Sequence, residues 1–145
     1  MGTPFSALSV FSGTLQMSAL NLLRSLTLGL LLALGSAVHA LEIRPYLGTE
    51  LAAMQKAGKP VVVIFHADWC PTCKVQQQTL ETLKKESGLE LTVLVADYDK
   101  EKDLRREHKV RSQSTLVAFK GDKETGRLVG DTAPDKIRAL LKTAL

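Results

Sequence analysis

Cys70 and Cys73 are the only two cysteines in the chain, and they stand three positions apart. They lie in Ala67-Asp68-Trp69-Cys70-Pro71-Thr72-Cys73-Lys74, after an apolar run and at the start of a helix-forming stretch. That junction puts the first sulfur at a helix N-terminus, beside unpaired backbone N–H groups and the positive end of the helix dipole. Both features favour a thiolate over a thiol, so Cys70 is expected to be the nucleophile. Cys73 lies one turn deeper, within reach of a disulfide but more shielded, and would resolve a mixed disulfide. Pro71 suits the first helical turn, where its missing N–H has no partner in any case. A disulfide closing so small a loop removes little entropy from the unfolded chain, so the pair makes a poor structural staple. The pair is better explained by chemistry than by stability.

The elements that must hold this pair are legible as alternating periods. Val61-Val62-Val63-Ile64-Phe65 and Leu91-Thr92-Val93-Leu94-Val95-Ala96 read as strands buried on both faces. Leu41–Tyr46 reads as a short first strand limited by Pro45, and Thr115–Lys120 with Arg127–Val129 as a closing hairpin around Gly121–Gly126. Between them, a helix capped by Thr49 would run to Gly58 with Leu47, Leu51 and Met54 on one face. Further helices are expected over Pro71–Ser87, from an Asp99 cap to His108, and from Pro134 to the C-terminus. Gln76-Gln77-Gln78 blurs the apolar stripe of the first of these. The last should bury Ile137, Leu140, Leu141 and Ala144 or Leu145. The order is β-α-β-α-β-α-β-β-α, which predicts an α/β fold with a central mixed sheet of four to five strands flanked by helices.

Residues 1–40 read as a secretory signal rather than as part of this fold. Arg24 precedes the apolar stretch Leu26–Leu34, and Val38-His39-Ala40 offers a cleavage site. The apolar stretch is shorter than the ~20 residues of a spanning helix, so an uncleaved anchor is the weaker reading. Met17 would give a more usual signal than Met1. The expected mature domain is 41–145. A net charge of +4 with 5% aromatic residues, and charges intermixed over Lys100–Arg111, gives no nucleic-acid footprint.

With these residues in view, Ala67–Lys74 resembles the active-site segment of the thioredoxin superfamily. It is especially similar to exported thioredoxin-like domains of bacterial envelopes, among them the C-terminal domain of the membrane thiol:disulfide interchange reductase. The resemblance covers nearly all of 41–145, with Val110-Arg111-Ser112, Thr115–Lys120 and Val129-Gly130 as further matches. It implies a redox-active disulfide between Cys70 and Cys73, no cofactor, and exchange with protein thiols and disulfides. It also implies a periplasmic monomer acting as a reductant, fed by a membrane thiol electron transporter.

Three departures matter. Ser114, after Gln113, stands where the family has a cis-proline facing the disulfide. A cis bond before another residue costs about 2.5–4 kcal/mol, so Gln113–Ser114 is expected to be trans. Ile64 and Val95 replace the family's buried acid and its lysine partner, and Gln78 replaces a helix-kinking proline. Trp69, Pro71, Thr72, Gln113 and Ser114 are read as substrate-facing. Asp68 and His66 are candidates for tuning the thiols, against plainer readings as a solvated turn residue and a packed side chain. Two soft thiolates, with His66 as a third ligand, leave a metal-binding or metal-delivery module as the alternative function.

Overall fold

The β-branched run at Val61–Phe65 has no polar face, so it must lie mid-sheet with cover on both sides. In a computed structural model, which describes residues 41–145, it does. The chain divides into two units, Met1–Ala37 and Val38–Leu145, and every described residue lies in the second. The expected signal over residues 1–40, and a start at Met17, fall outside the described residues.

The elements are β1 (Glu42–Pro45), α1 (Gly48–Lys56), β2 (Pro60–His66), α2 (Pro71–Leu83), β3 (Thr92–Asp97), α3 (Lys102–Glu107), β4 (Thr115–Lys120), β5 (Lys123–Val129) and α4 (Pro134–Thr143). The sheet has five strands in the order β1-β3-β2-β4-β5. β3 runs parallel to both β1 and β2, whereas β4 pairs antiparallel with β2 and with β5. This is the expected mixed sheet.

Alternation along β2 splits the core into two layers. Val62 and Ile64 join Leu80 and Leu83 of α2 and Ile137, Leu140 and Leu141 of α4 on one face. Val61, Val63 and Phe65 face the other way, towards Leu51 of α1 and Leu104 of α3. Gly126 on β5 lets α4 approach closely: a Cβ there would lie 2.9 Å from Leu140 Cδ1. Ala144 is buried and Leu145 is exposed, which settles that pair.

Several boundaries differ from the sequence reading. The helix expected to reach Ser87 ends at Leu83, because the next amides turn back onto carbonyls three residues away, Lys85 to Thr82 and Glu86 to Leu83. That tighter turn returns Leu89 to the core. Thr49 is not a cap: α1 starts at Gly48 after Leu47, with no side-chain cap bond, and Leu47 points to solvent. Nor does Asp99 cap α3, which begins at Lys102. The turn before α3 is built by Asp97, whose Oδ1 accepts the N–H groups of Asp99 and Lys100. Two acids were close enough in sequence to share that role, and the strand-end position decided it.

Candidate functional site

Cys70 is the N-cap of α2, extended at φ −90° and ψ 113°, with Pro71 as the first helical residue. The Cys73 N–H donates to Cys70 Sγ at 3.1 Å, and the Thr72 N–H also points at that sulfur. These are the orphan donors of a helix start, here satisfied by sulfur. Both cysteines are free and buried, and they pack with Ala67 and Tyr98.

Ser114 completes the pocket. Its Oγ lies 3.1 Å from Cys70 Sγ and 3.0 Å from Cys73 Sγ, so one hydroxyl touches both sulfurs. The Gln113–Ser114 bond is trans, as are all described peptide bonds. Ser114 instead takes φ +57°, a left-handed conformation uncommon for a residue with a side chain. Such strain persists only where the surroundings hold it. The Ser114 N–H donates to Phe65 O at 2.9 Å, and its carbonyl accepts from Gly130 N–H at 2.8 Å and Gln76 Nε2 at 3.1 Å. Ser114 therefore has no free backbone group and offers its side chain to the thiols. Gln113 makes no hydrogen bond among the described residues.

The two thiols are pushed in opposite directions. Burial raises the Cys70 thiol, but hydrogen bonds from the Cys73 thiol, the Ser114 hydroxyl and the N–H groups of Cys73 and Thr72 outweigh it. Its pKa falls below the ordinary thiol value. Burial raises Cys73 as well, and its hydrogen bond towards Cys70 raises it further; Ser114 and the Ala67 backbone offset this only in part. The outer sulfur is the better nucleophile, as expected from its place at the helix start.

The remaining sequence candidates fall around this core. Trp69 is 60% exposed and its Nε1 donates to Asp99 Oδ2 at 2.8 Å, so its indole stands at the surface. Asp68 is exposed and its carboxylate lies 3.4 Å from His66 Nε2. Neither Asp68 nor His66 hydrogen-bonds to a sulfur among the described residues. No group of three or more His, Cys, Asp or Glu side chains there could hold a metal ion, so His66 does not complete a ligand set with the cysteines.

Two residues of the site were missed. Gln76 is fully buried one turn beyond Cys73, and its Nε2 also donates to Asp131 O at 2.8 Å. It ties α2 to both loops that close the pocket. The signal was present as a glutamine on the apolar stripe of a helix, where a buried amide needs partners. Tyr98 packs against the cysteines and donates to Arg111 O at 2.9 Å, and Arg105 lies over its ring at 4.0 Å. Nothing in its local sequence marks it.

A strand–helix junction with a buried dithiol and a facing loop after a central strand is a family-level signature, and the thioredoxin family model matches residues 50–143. The chain belongs to the thioredoxin family. It is 38% identical to a thioredoxin of Mycobacterium tuberculosis over 74 residues, 51% of this chain and 64% of that protein. It is 37% identical to the bifunctional thioredoxin reductase/thioredoxin of Mycobacterium leprae over 79 residues, 54% of this chain but only 17% of that protein. Among solved structures, Trxlp from Edwardsiella tarda superposes with a TM-score of 0.65 at 31% identity, covering 69% of this chain and 98% of that one. The N21Q mutant thioredoxin from Halobacterium salinarum gives 0.61 at 25% identity, covering 75% and 94%. As a thioredoxin-family chain, this one carries the family's pair at Cys70 and Cys73 with a serine hydroxyl against both sulfurs.

Proposed function

We propose that this protein is an exported thiol–disulfide oxidoreductase that reduces disulfides of protein partners in the periplasm. The observation that carries the reading is the asymmetry of the pair: Cys70 is held towards the thiolate and Cys73 towards the thiol. Cys70 attacks a substrate disulfide and forms a mixed disulfide; Cys73 then attacks Cys70 Sγ and releases the reduced partner. The exposed indole of Trp69 lies next to Cys70 in sequence and gives a partner an apolar edge to dock on. Export is supported by Arg24, the apolar stretch Leu26–Leu34 and Val38-His39-Ala40. The protein works as a monomer, and a membrane thiol electron transporter returns it to the dithiol.

The deciding measurement is the reduction potential of the purified protein in glutathione or dithiothreitol buffers. Potentials of such domains run from about −270 mV, at the reducing end, to about −120 mV, at the oxidising end. A value near the reducing end supports the reductase. One near the oxidising end makes the protein a disulfide donor instead. Partners are identified with Cys73→Ser, which leaves Cys70 to attack and traps mixed disulfides; envelope proteins in the trapped fraction support the proposed compartment. Recovery of cytosolic proteins alone would contradict it.

A further inference from the structure

Each cysteine must be a thiolate at a different moment of the exchange, and both sulfurs are buried. No charged side chain hydrogen-bonds to either of them among the described residues, and Ile64 stands where the resemblance places an acid. Among the described residues the one side chain that reaches both is Ser114, 3.1 Å from Cys70 Sγ and 3.0 Å from Cys73 Sγ. A serine hydroxyl has a single hydrogen to donate and can turn about its Cβ–Oγ bond. We propose that Ser114 is a catalytic residue whose hydroxyl donates first to the Cys70 thiolate and then, once Cys70 is capped, to the Cys73 thiolate.

The exchange then runs as two displacements on sulfur. In the resting pair the Cys73 S–H and the Ser114 O–H both donate to the Cys70 thiolate. Cys70 attacks a disulfide R–S–S–R′: a Cys70–SR bond forms, the R–S–S–R′ bond breaks, and the electron pair leaves on R′S⁻, which takes a proton from water. Cys70 Sγ is now neutral and a weak acceptor, so the hydroxyl turns towards Cys73. Cys73 gives its proton to water, and its thiolate, held by Ser114, attacks Cys70 Sγ. The Cys70–Cys73 bond forms as the Cys70–SR bond breaks, and RS⁻ is protonated by water. The pair has lost two electrons, R–S–S–R′ has gained them, and Ser114 ends with the hydrogen it began with.

The backbone around Ser114 is built for such a rotor. Its N–H and C=O are held by Phe65, Gly130 and Gln76, and its left-handed φ is the conformation that presents Oγ to the sulfurs. The strain of that conformation, tolerated here, accords with the hydroxyl having a use.

This inference rests on the oxidoreductase reading, and one experiment separates the two. Reduced full-length protein, Ser114→Gly and Ser114→Ala are mixed with glutathione disulfide and quenched at short times, and the Cys70–glutathione mixed disulfide is followed by mass. Glycine accepts a positive φ with little strain whereas alanine does not, so the variants share a missing hydroxyl and differ in backbone preference. Both should resolve the mixed disulfide about tenfold or more slowly than the parent and accumulate it, as loss of a hydrogen bond to a charged group predicts. Slowing in Ser114→Ala with normal resolution in Ser114→Gly would assign the effect to backbone geometry and overturn the proposal. Normal resolution in both would overturn it too. A parent protein that never forms the mixed disulfide would sink the oxidoreductase reading itself, and this one with it.

Discussion

Ile64 on β2 and Val95 on β3 are register partners, and both turn into the apolar layer beneath α2 and α4. The resemblance places an acid and its lysine at these two positions. One charge without the other would be buried and unpaired, which costs far more than losing both. The two departures are therefore one change, and it leaves the layer behind the cysteines free of charge.

Restoring only the acid should be severe. Ile64→Asp buries a carboxylate with no partner at a site that is 1% exposed, and should destabilise the fold by about 4 kcal/mol or more. The double variant Ile64→Asp/Val95→Lys should recover part of that loss. Urea midpoints of the three proteins check this; equal midpoints for the parent and Ile64→Asp would contradict the packing described.

The thiols should titrate apart. Because hydrogen bonds hold Cys70 below the ordinary thiol value, its reaction with iodoacetamide should reach half-maximal rate at a pH below the ~8.5 of a free cysteine. Cys73, raised by burial and by its bond to Cys70, should stay unmodified until well above that pH. Peptide mapping after timed alkylation distinguishes them, and equal labelling of the two would refute the assignment of roles.

Gln76→Leu tests the tie between α2 and the pocket loops. It keeps the bulk but leaves Asp131 O without its amide donor and removes one of two donors to Ser114 O. A cost of about 1–3 kcal/mol is expected, from the buried carbonyl left unpaired. Disulfide exchange should also slow, since Ser114 loses part of its support. The orphaned Gln76 Oε1 works against this, because its removal relieves a buried unpaired acceptor. A variant more stable than the parent would mean that the orphan outweighs both donors.

Away from the site, Arg138 on α4 grips Glu86 through two bonds of 2.7 Å each. Its hydrogen bond holds the Glu86 carboxyl below the ordinary value, against an opposing contribution from burial. A depressed folded-state pKa contributes stability above the carboxylate's unfolded pKa, and that stability is lost as pH falls through the folded value. Arg138→Ala should therefore melt below the parent at neutral pH, and the difference should close below the ordinary glutamate pKa of about 4.3. Melting curves across that range decide it; a gap that persists in acid would assign the loss to packing of the arginine stem instead.

The order of elements, the mixed sheet and the two cysteines could all be read from the residues alone, because each rests on local chemistry. A run of β-branched residues has to be a central strand, and Cys-Pro-Thr-Cys after it has to open a helix. Helix ends were less legible: where α2 stops depends on Leu89 returning to the core, and where α3 starts depends on Asp97 turning the chain first. The family resemblance already set Ser114 opposite the thiols; the folded chain added how its hydroxyl meets them. Ser114 is far from Cys70 along the chain, and its hydroxyl reaches both sulfurs only because β2, β4 and the Gly130 turn hold its backbone in a conformation serine seldom takes. Gln76 and Tyr98 joined the site for the same reason. Their side chains are ordinary in sequence, and the packing of distant segments gives them their partners.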